Sequence, residues 1–403
     1  MYDGYYLSVR GYSHIKEESA RQDAACTLIS PDGSWAIAAV SDGHGGKDYF
    51  RSHIGARLAV ESAVTTIKSY LEEKEALIMA LRGEQEESEQ SGNAYRYRPK
   101  SRDEIFRAIE SGIVYNWKEL IGKFHDDPQG FDWGSLMTPP SGAQDPEAPV
   151  QDGIDFEWEQ AWLQKHGLQV EGGRFEILYG CTLLAAVMTP EFCFAMQIGD
   201  GSCVIVQPDG EAQMMIPADE SKPTNVTDSL CEFEMLEKFS YACMMAPKWK
   251  LGLGGAVCEG IQEEDECDEK AEGSIAAMPA ANDDAAPCSE AGSLGAEEAN
   301  AKTADVTESN EGAAAGHTGT PAVPIAPAGI ILSTDGLFNS FNDTEDFLRF
   351  NRRMLSRMEP SGRAAFSKML EEHLNERSKQ SCRDDISAAM VFGAGIDYGT
   401  ILP

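Results

Sequence analysis

Aspartates hold the positions where this chain could do chemistry. Asp23 precedes the apolar run AACTLIS, and Asp42 follows WAIAAVS. Asp200 follows FCFAMQIG, Asp335 follows GIILST, and the pair Asp384–Asp385 precedes ISAAMVF. Short apolar runs bounded by Gly, Pro, Asp and Ser read as strands, so each carboxylate falls at a strand end, where a loop can present it. Pro31-Asp32-Gly33 supplies a turn between the first two runs. A hairpin sets the start of its first strand beside the end of its second, so Asp23 and Asp42 are expected at the same end of a sheet. Asp200-Gly201 reads as the turn of a second hairpin. Asp32 and Asp209, also followed by Gly, read as plain turn residues.

Carboxylates gathered at one rim repel. Either some stay protonated or divalent cations neutralise them. A cluster of Asp without Cys or a pair of His favours hard cations, Mg²⁺ or Mn²⁺, which prefer oxygen ligands and retain several waters. Two such ions about 3.5–4 Å apart can activate a bridging water for in-line attack on phosphorus.

The elements that must position these residues are readable in outline. Strands are expected over Ala24–Ser30, Trp35–Val40, Ile177–Val187, Phe192–Ile198, Cys203–Gln207, Gly329–Leu332 and Ile386–Phe392. Phe50, Ile54, Leu58, Val64, Ile67 and Leu71 recur near helical spacing after Gly46. Ile105, Ile109, Ile113 and Leu120 mark a second helix over Arg102–Phe124. Two more are expected between Thr344 and Ser378, broken at Pro360-Ser361-Gly362. Strands mixed with helical pairs, without a strict βαβ rhythm, indicate the α+β class.

Two stretches look irregular. Residues 126–155 hold Pro128, Pro139, Pro140, Pro146 and Pro149 among scattered glycines, a loop composition. Residues 259–320 are rich in Ala, Gly, Ser, Pro and acids; from Glu259 to Glu311 there are 16 acidic residues against Lys270 and Lys302. So few large apolar groups cannot repay the entropy of ordering, and the segment reads as a disordered acidic insertion, a solubilising one rather than a partner-binding tail. Strand-like runs lie on both sides of each stretch, so residues 1–403 are read as a single domain with two insertions.

Composition bounds the function. The 403 residues carry 33 Lys and Arg against 67 Asp and Glu, a net charge of −34. A chain so acidic is not an electrostatically driven nucleic-acid binder, because backbone phosphates would be repelled. With 42% hydrophobic residues the chain can bury a large core. No apolar stretch reaches the roughly 18 residues of a spanning helix. MYDGYYLSVRGYSH has neither a basic nor an apolar leader region, so no membrane partner and a cytoplasmic address are expected. None of the ten cysteines forms a C-x-x-C pair, and reduced, structural thiols are expected.

Arg21-Gln22-Asp23-Ala24, Ser41-Asp42-Gly43-His44-Gly45-Gly46, Ile198-Gly199-Asp200-Gly201, Ser333-Thr334-Asp335-Gly336 and Arg383-Asp384-Asp385-Ile386 occur in that order. Together they resemble the metal-dependent protein phosphatases, the type 2C serine/threonine class. Gly11-Tyr12-Ser13-His14 resembles a mainly bacterial branch of it. The resemblance implies a four-layer αββα sandwich, two central antiparallel sheets flanked by helices. It implies two Mn²⁺ or Mg²⁺ ions in a cleft at the sheet edge. By motif match Asp42 bridges both ions, and the backbone carbonyl of Gly43 is a further ligand. Asp23 acts near one ion through water, Asp335 and Asp384 hold the other, and Asp200 with Asp335 matches the site of a weaker third ion. His44 matches a residue that protonates the departing serine or threonine oxygen; the alternative is a loop histidine that orients a metal-bound water. His14 either touches phosphate or caps a strand, and the second reading is preferred.

Some positions depart from the family pattern. Gln22 stands where many relatives have an acid, Glu18 where many have a phosphate-binding arginine, and Asn339 where many have Asp. Arg10 and Arg21 are the candidate substitutes for that arginine. The expected activity is removal of phosphate from phosphoserine and phosphothreonine proteins by a monomer, with a cognate Ser/Thr kinase as a further partner. The alternative is a pseudophosphatase, a module that binds a phosphoprotein or kinase without turnover.

Overall fold

The computed structural model describes residues 1–83, 101–138, 164, 175–217, 227–232, 235–246, 251–255, 326–358, 362–396 and 398–401. The acidic stretch 259–320 lies outside the described residues, as do positions 139–155 of the proline-rich one.

Two antiparallel sheets form the centre. One contains β1 (Tyr2–Val9), β11 (Ile386–Gly393), β10 (Gly329–Ser333), β6 (Ser202–Val206) and β7 (Ala212–Met214), in that order. The other runs β2 (Ala24–Ile29), β3 (Ala36–Ser41), β4 (Leu183–Met188), β5 (Phe192–Ile198), β8 (Ser240–Met245), β9 (Leu251–Gly255). This is the α+β architecture expected from the sequence.

Alternation along the strands builds the layers. Ile37 and Ala39 face a core shared with the helices α2 (Ser52–Glu72) and α4 (Arg102–Asp126), whereas Ala36, Ala38 and Val40 face the opposite sheet. The other sheet sends Cys203, Ile205, Ile330, Leu332, Ala389 and Val391 into that same inter-sheet core. Val204, Ile331 and Met390 point outward, under α6 (Thr344–Ser356) and α7 (Arg363–Gln380). The order is helices, sheet, sheet, helices. Many inter-sheet residues are alanines, which lets the two sheets approach closely.

Local signals explain the helix ends. Ser101 caps α4 by accepting from the Glu104 amide at 3.2 Å, and Asp343 caps α6 by accepting from Asp346 N at 2.7 Å. α6 ends at Ser356 and α7 begins at Arg363, on either side of the expected break, of which Pro360 and Ser361 lie outside the described residues. A short α1 (Tyr12–Glu17), α3 (Lys74–Arg82), a one-turn α5 (Asp335–Phe338) and α8 (Tyr398–Ile401) complete the helices among the described residues.

Three expectations need correction. The run 177–187 is not one strand: Phe175–Tyr179 forms a 3-10 turn, and the ladder resumes at Leu183. Between them Cys181 makes an isolated bridge to Gly43, so this break is part of the rim. Second, Asp200-Gly201 does not close a hairpin. β5 and β6 belong to different sheets, and the turn carries the chain from one to the other. Third, the stretch after Asp126 is less irregular than its composition suggests. Phe131 and Trp133 pack against the core, and the Met137 and Thr138 amides donate to the Glu61 carboxylate, each at 2.9 Å. Arg57 donates to the Thr138 hydroxyl and carbonyl from the other side. Cys26, Cys181, Cys193, Cys203 and Cys243 are buried thiols in no disulfide. No helix among the described residues is long and apolar enough to cross a membrane.

Glu110 is a charge the fold hides. It lies on the buried face of α4 with the Arg107 guanidinium 3.4 Å away, and burial pushes its carboxyl up to about 7. Between about 4.5 and 7 the folded chain keeps a proton that the unfolded chain releases, so this residue lowers stability as pH rises through that window. Glu110→Gln removes the effect. In urea denaturation its advantage over the parent is expected to grow by about 3 kcal/mol between pH 4.5 and 8. A difference independent of pH contradicts the reading.

Candidate metal centre at the sheet rim

Antiparallel pairing brings the aspartates together. Ala24 pairs with Ser41, so Asp23 and Asp42 flank one end of the β2–β3 ladder, as expected. Leu183 pairs with Ile198, which places the turn bearing Asp200 at that same end. In the other sheet Ser333 pairs with both Ser202 and Ala388. Asp335, just past β10, and Asp384–Asp385, just before β11, therefore share one rim.

Asp42 is fixed by its backbone. Its amide donates to the Thr182 hydroxyl at 3.0 Å, and its carbonyl accepts from Thr182 N at 2.8 Å. His44 N donates to the Gly180 carbonyl at 3.0 Å. Gly43, between them, is the non-hydrogen-bonded partner of Cys181, so its own carbonyl turns away from that segment. A Cβ at Gly43 would lie 2.8 Å from the Gln22 carbonyl and from the Ser52 backbone. Only glycine admits that crossing of three chain segments, which gives the Asp-Gly pair a steric reason. Gly336 is similar: a Cβ there would meet the Asp385 carbonyl at 2.0 Å, so glycine lets α5 and Asp335 sit against the start of β11.

The carboxylates act on one another. Asp23 is 4% exposed, and burial, followed by Asp385, raises its pKa well above the usual carboxylate range. Burial and then Asp23 and Asp335 do the same to Asp42. Asp335 is pushed up to about 6 by burial and by Asp200. Asp384, though its side chain is more than half exposed, is raised by partial burial; the Asp385 amide opposes that and the Asp385 carboxylate adds to it. Such a group must hold protons or bind cations. Every side-chain donor is a hard oxygen, and the set fits Mg²⁺ or Mn²⁺ by ligand chemistry. Among the described residues no three His, Cys, Asp or Glu side chains already close a metal cage.

The remaining candidates are more peripheral. Asp200 is exposed and accepts a short hydrogen bond from the Thr227 hydroxyl. Asn339 Nδ2 donates to Asp335 Oδ2 at 3.0 Å. The His44 ring lies edge-on to Tyr49 at 5.1 Å; burial lowers its pKa, while Asp200 and Glu232 oppose that. Arg21 turns its guanidinium to the Ser8 and Asp23 carbonyls, and Glu18 caps α1 in the left-handed conformation.

Asp385 is the residue that sequence reasoning passed over. It is 3% exposed and accepts from Gly11 N and Gln22 N at 2.5 Å, Asp23 N at 3.4 Å and His14 Nδ1 at 2.9 Å. His14 Nε2 lies 4.0 Å from Asp384 Oδ1, so the ring stands between the two neighbouring aspartates. His14 thus meets acids rather than capping a strand. The doubled Asp was the only sequence signal for this role.

The protein phosphatase 2C family model matches residues 10–131 and 143–375, and the chain belongs to that family. A search of curated proteins gave no match. Among solved structures, the chain is similar to the serine/threonine phosphatase Stp1 from Staphylococcus aureus at 10% identity, covering 98% of this chain and 96% of that one, with a TM-score of 0.41. It is similar to PppA of Pseudomonas aeruginosa at 12% identity, covering 97% of each chain, TM-score 0.42. It is also similar to the catalytic domain of the phosphatase PstP in complex with two manganese ions, at 12% identity over 97% of each chain, TM-score 0.37.

Asp385→Ala leaves several buried amides without an acceptor. Unfolding in urea with EDTA present is expected to show a loss of about 3 kcal/mol. A loss below about 1 kcal/mol contradicts the clamp.

Proposed function

We propose that this chain is a metal-dependent phosphomonoester hydrolase acting on phosphoserine and phosphothreonine in proteins. The observation that carries the reading is the convergence of Asp23, Asp42, Asp335 and Asp384, from both sheets, at one rim. Asp42, the Gly43 carbonyl, Asp23, Asp335 and Asp384 would hold two Mn²⁺ or Mg²⁺ ions. Asp200 with Asp335 would serve a weaker third, on a side where Asn339 brings no charge. When bound, the ions would supply charge neutralisation for the phosphoryl oxygens and a water acidic enough to attack at neutral pH. A water oxygen forms a bond to phosphorus as the bond to the serine or threonine oxygen breaks. That oxygen needs a proton, and His44 would be the group to give it. A lowered pKa makes the protonated ring scarcer but a stronger acid. The Thr182 bonds keep Asp42 in place throughout.

The partners follow from the chemistry: a phosphorylated protein as substrate, and a Ser/Thr kinase that supplies it. A cytoplasmic monomer fits that role.

Two results are expected. Asp42→Ala and Asp335→Ala abolish phosphate release while circular dichroism stays that of the parent; full activity in both ends the proposal. His44→Gln lowers kcat on a phosphothreonine peptide by about 10²-fold or more. It changes p-nitrophenyl phosphate hydrolysis little, because nitrophenolate leaves without a proton. Equal losses on both substrates assign His44 to orienting water instead. Folded parent protein that binds phosphopeptide without turnover, metal present, would shift the reading to the binding module.

A further inference from the structure

Thr334 is fully buried between the sheets at the rim. Its hydroxyl oxygen accepts from the Ser387 amide at 2.9 Å and donates to Asp23 Oδ2 at 2.7 Å. The other acceptor in reach, the Ser387 carbonyl, is 3.5 Å away and already takes the Thr334 amide at 3.0 Å. The hydroxyl has one proton, and the shorter contact receives it. With Asp23 ionised, as a bound cation would keep it, the bond chain runs from the amide of β11 through the hydroxyl of Thr334 to the carboxylate of Asp23. Asp23 belongs to one sheet, while Thr334 follows β10 of the other and directly precedes Asp335. One residue thus joins acids carried by both sheets.

We infer that Thr334 is a positioning residue for the metal centre, setting the Asp23 carboxylate so that Oδ2 is engaged and Oδ1 is left to face a cation or its water. The inference rests on the metal-dependent reading above. Thr334 touches neither substrate nor ion in this account; it acts through Asp23. A carboxylate free to rotate would present its oxygens in more than one way, and partners of this kind outside the ligand shell typically change metal affinity by about 10–100-fold.

The test measures Mn²⁺ binding by titration calorimetry and by loss of the free Mn²⁺ paramagnetic signal, without substrate. The proteins are the full chain, Thr334→Val, Thr334→Ser, Asp23→Asn and the double variant Thr334→Val/Asp23→Asn, each checked for folding by its melting curve. Valine keeps the shape and removes the hydroxyl, and is expected to weaken binding about 10-fold or more. Serine restores the hydroxyl and is expected to bind within about threefold of the parent. In the Asp23→Asn background valine is expected to cost nothing further, an outcome that a merely structural role for the hydroxyl does not produce. Parent-like binding by Thr334→Val overturns the inference. So does serine as weak as valine, or a valine effect undiminished beside Asp23→Asn. A parent chain that binds no Mn²⁺ overturns the metal reading itself, and this inference with it.

Discussion

Repulsion between like charges is the constraint on which this structure turns. Asp23 and Asp42 come from one sheet, Asp335, Asp384 and Asp385 from the other, and each raised carboxyl in the group owes part of its shift to another member. Burial is the larger cause for Asp23, Asp42 and Asp335, and it is the sheet packing that imposes it; the Asp384 side chain is more than half exposed. The alanine-rich inter-sheet core keeps the sheets close, and the antiparallel registers end their strands at one rim. Extensive apolar packing in three layers offsets the cost of that rim. Such an arrangement is unfavourable as a bare scaffold and favourable as a holder of divalent cations.

The individual hydrogen bonds at the rim divide into two jobs. Some pin main chain: Thr182 holds Asp42, and Asp385 holds the Gly11 and Gln22 amides. Others aim side chains, as the Thr334 hydroxyl does for Asp23. Both kinds run between segments far apart in sequence, so the centre forms only when both sheets have formed. Of the departures from the family pattern, Gln22 lies inside this network through its backbone, whereas Asn339 and Glu18 lie at its margin. Asn339 bonds Asp335 from the exposed side, and Glu18 ends a short helix. Asp23, Asp42, Asp335 and Asp384 are all retained.

Much of this was legible in the sequence, for identifiable reasons. The β2–β3 hairpin was readable because a Pro-Asp-Gly turn joins two apolar runs, and that alone placed Asp23 beside Asp42. The long helices were readable from their apolar spacing. The turn at Asp200 was misread because a tight Asp-Gly turn looks the same whether it joins neighbouring strands or crosses between sheets. Residues 177–187 were misread because the 3-10 turn and the strand are equally apolar. β1 escaped notice because Asp3-Gly4 interrupts its pattern, and only pairing with β11, from the far end of the chain, makes it a strand. Asp385 could not be assigned from sequence, since its donors come from residues 11–23, and spacing says nothing about which of two adjacent acids turns inward.

The central claim is that the rim works as a divalent-cation centre for phosphate ester hydrolysis. The most direct measurement is phosphate release from a phosphothreonine peptide by the chelator-stripped chain, followed as Mn²⁺ and then Mg²⁺ are added back. The account predicts no turnover in EDTA and saturable recovery on adding either ion. Turnover that persists in EDTA, or folded protein that binds the ions and releases no phosphate, would contradict it.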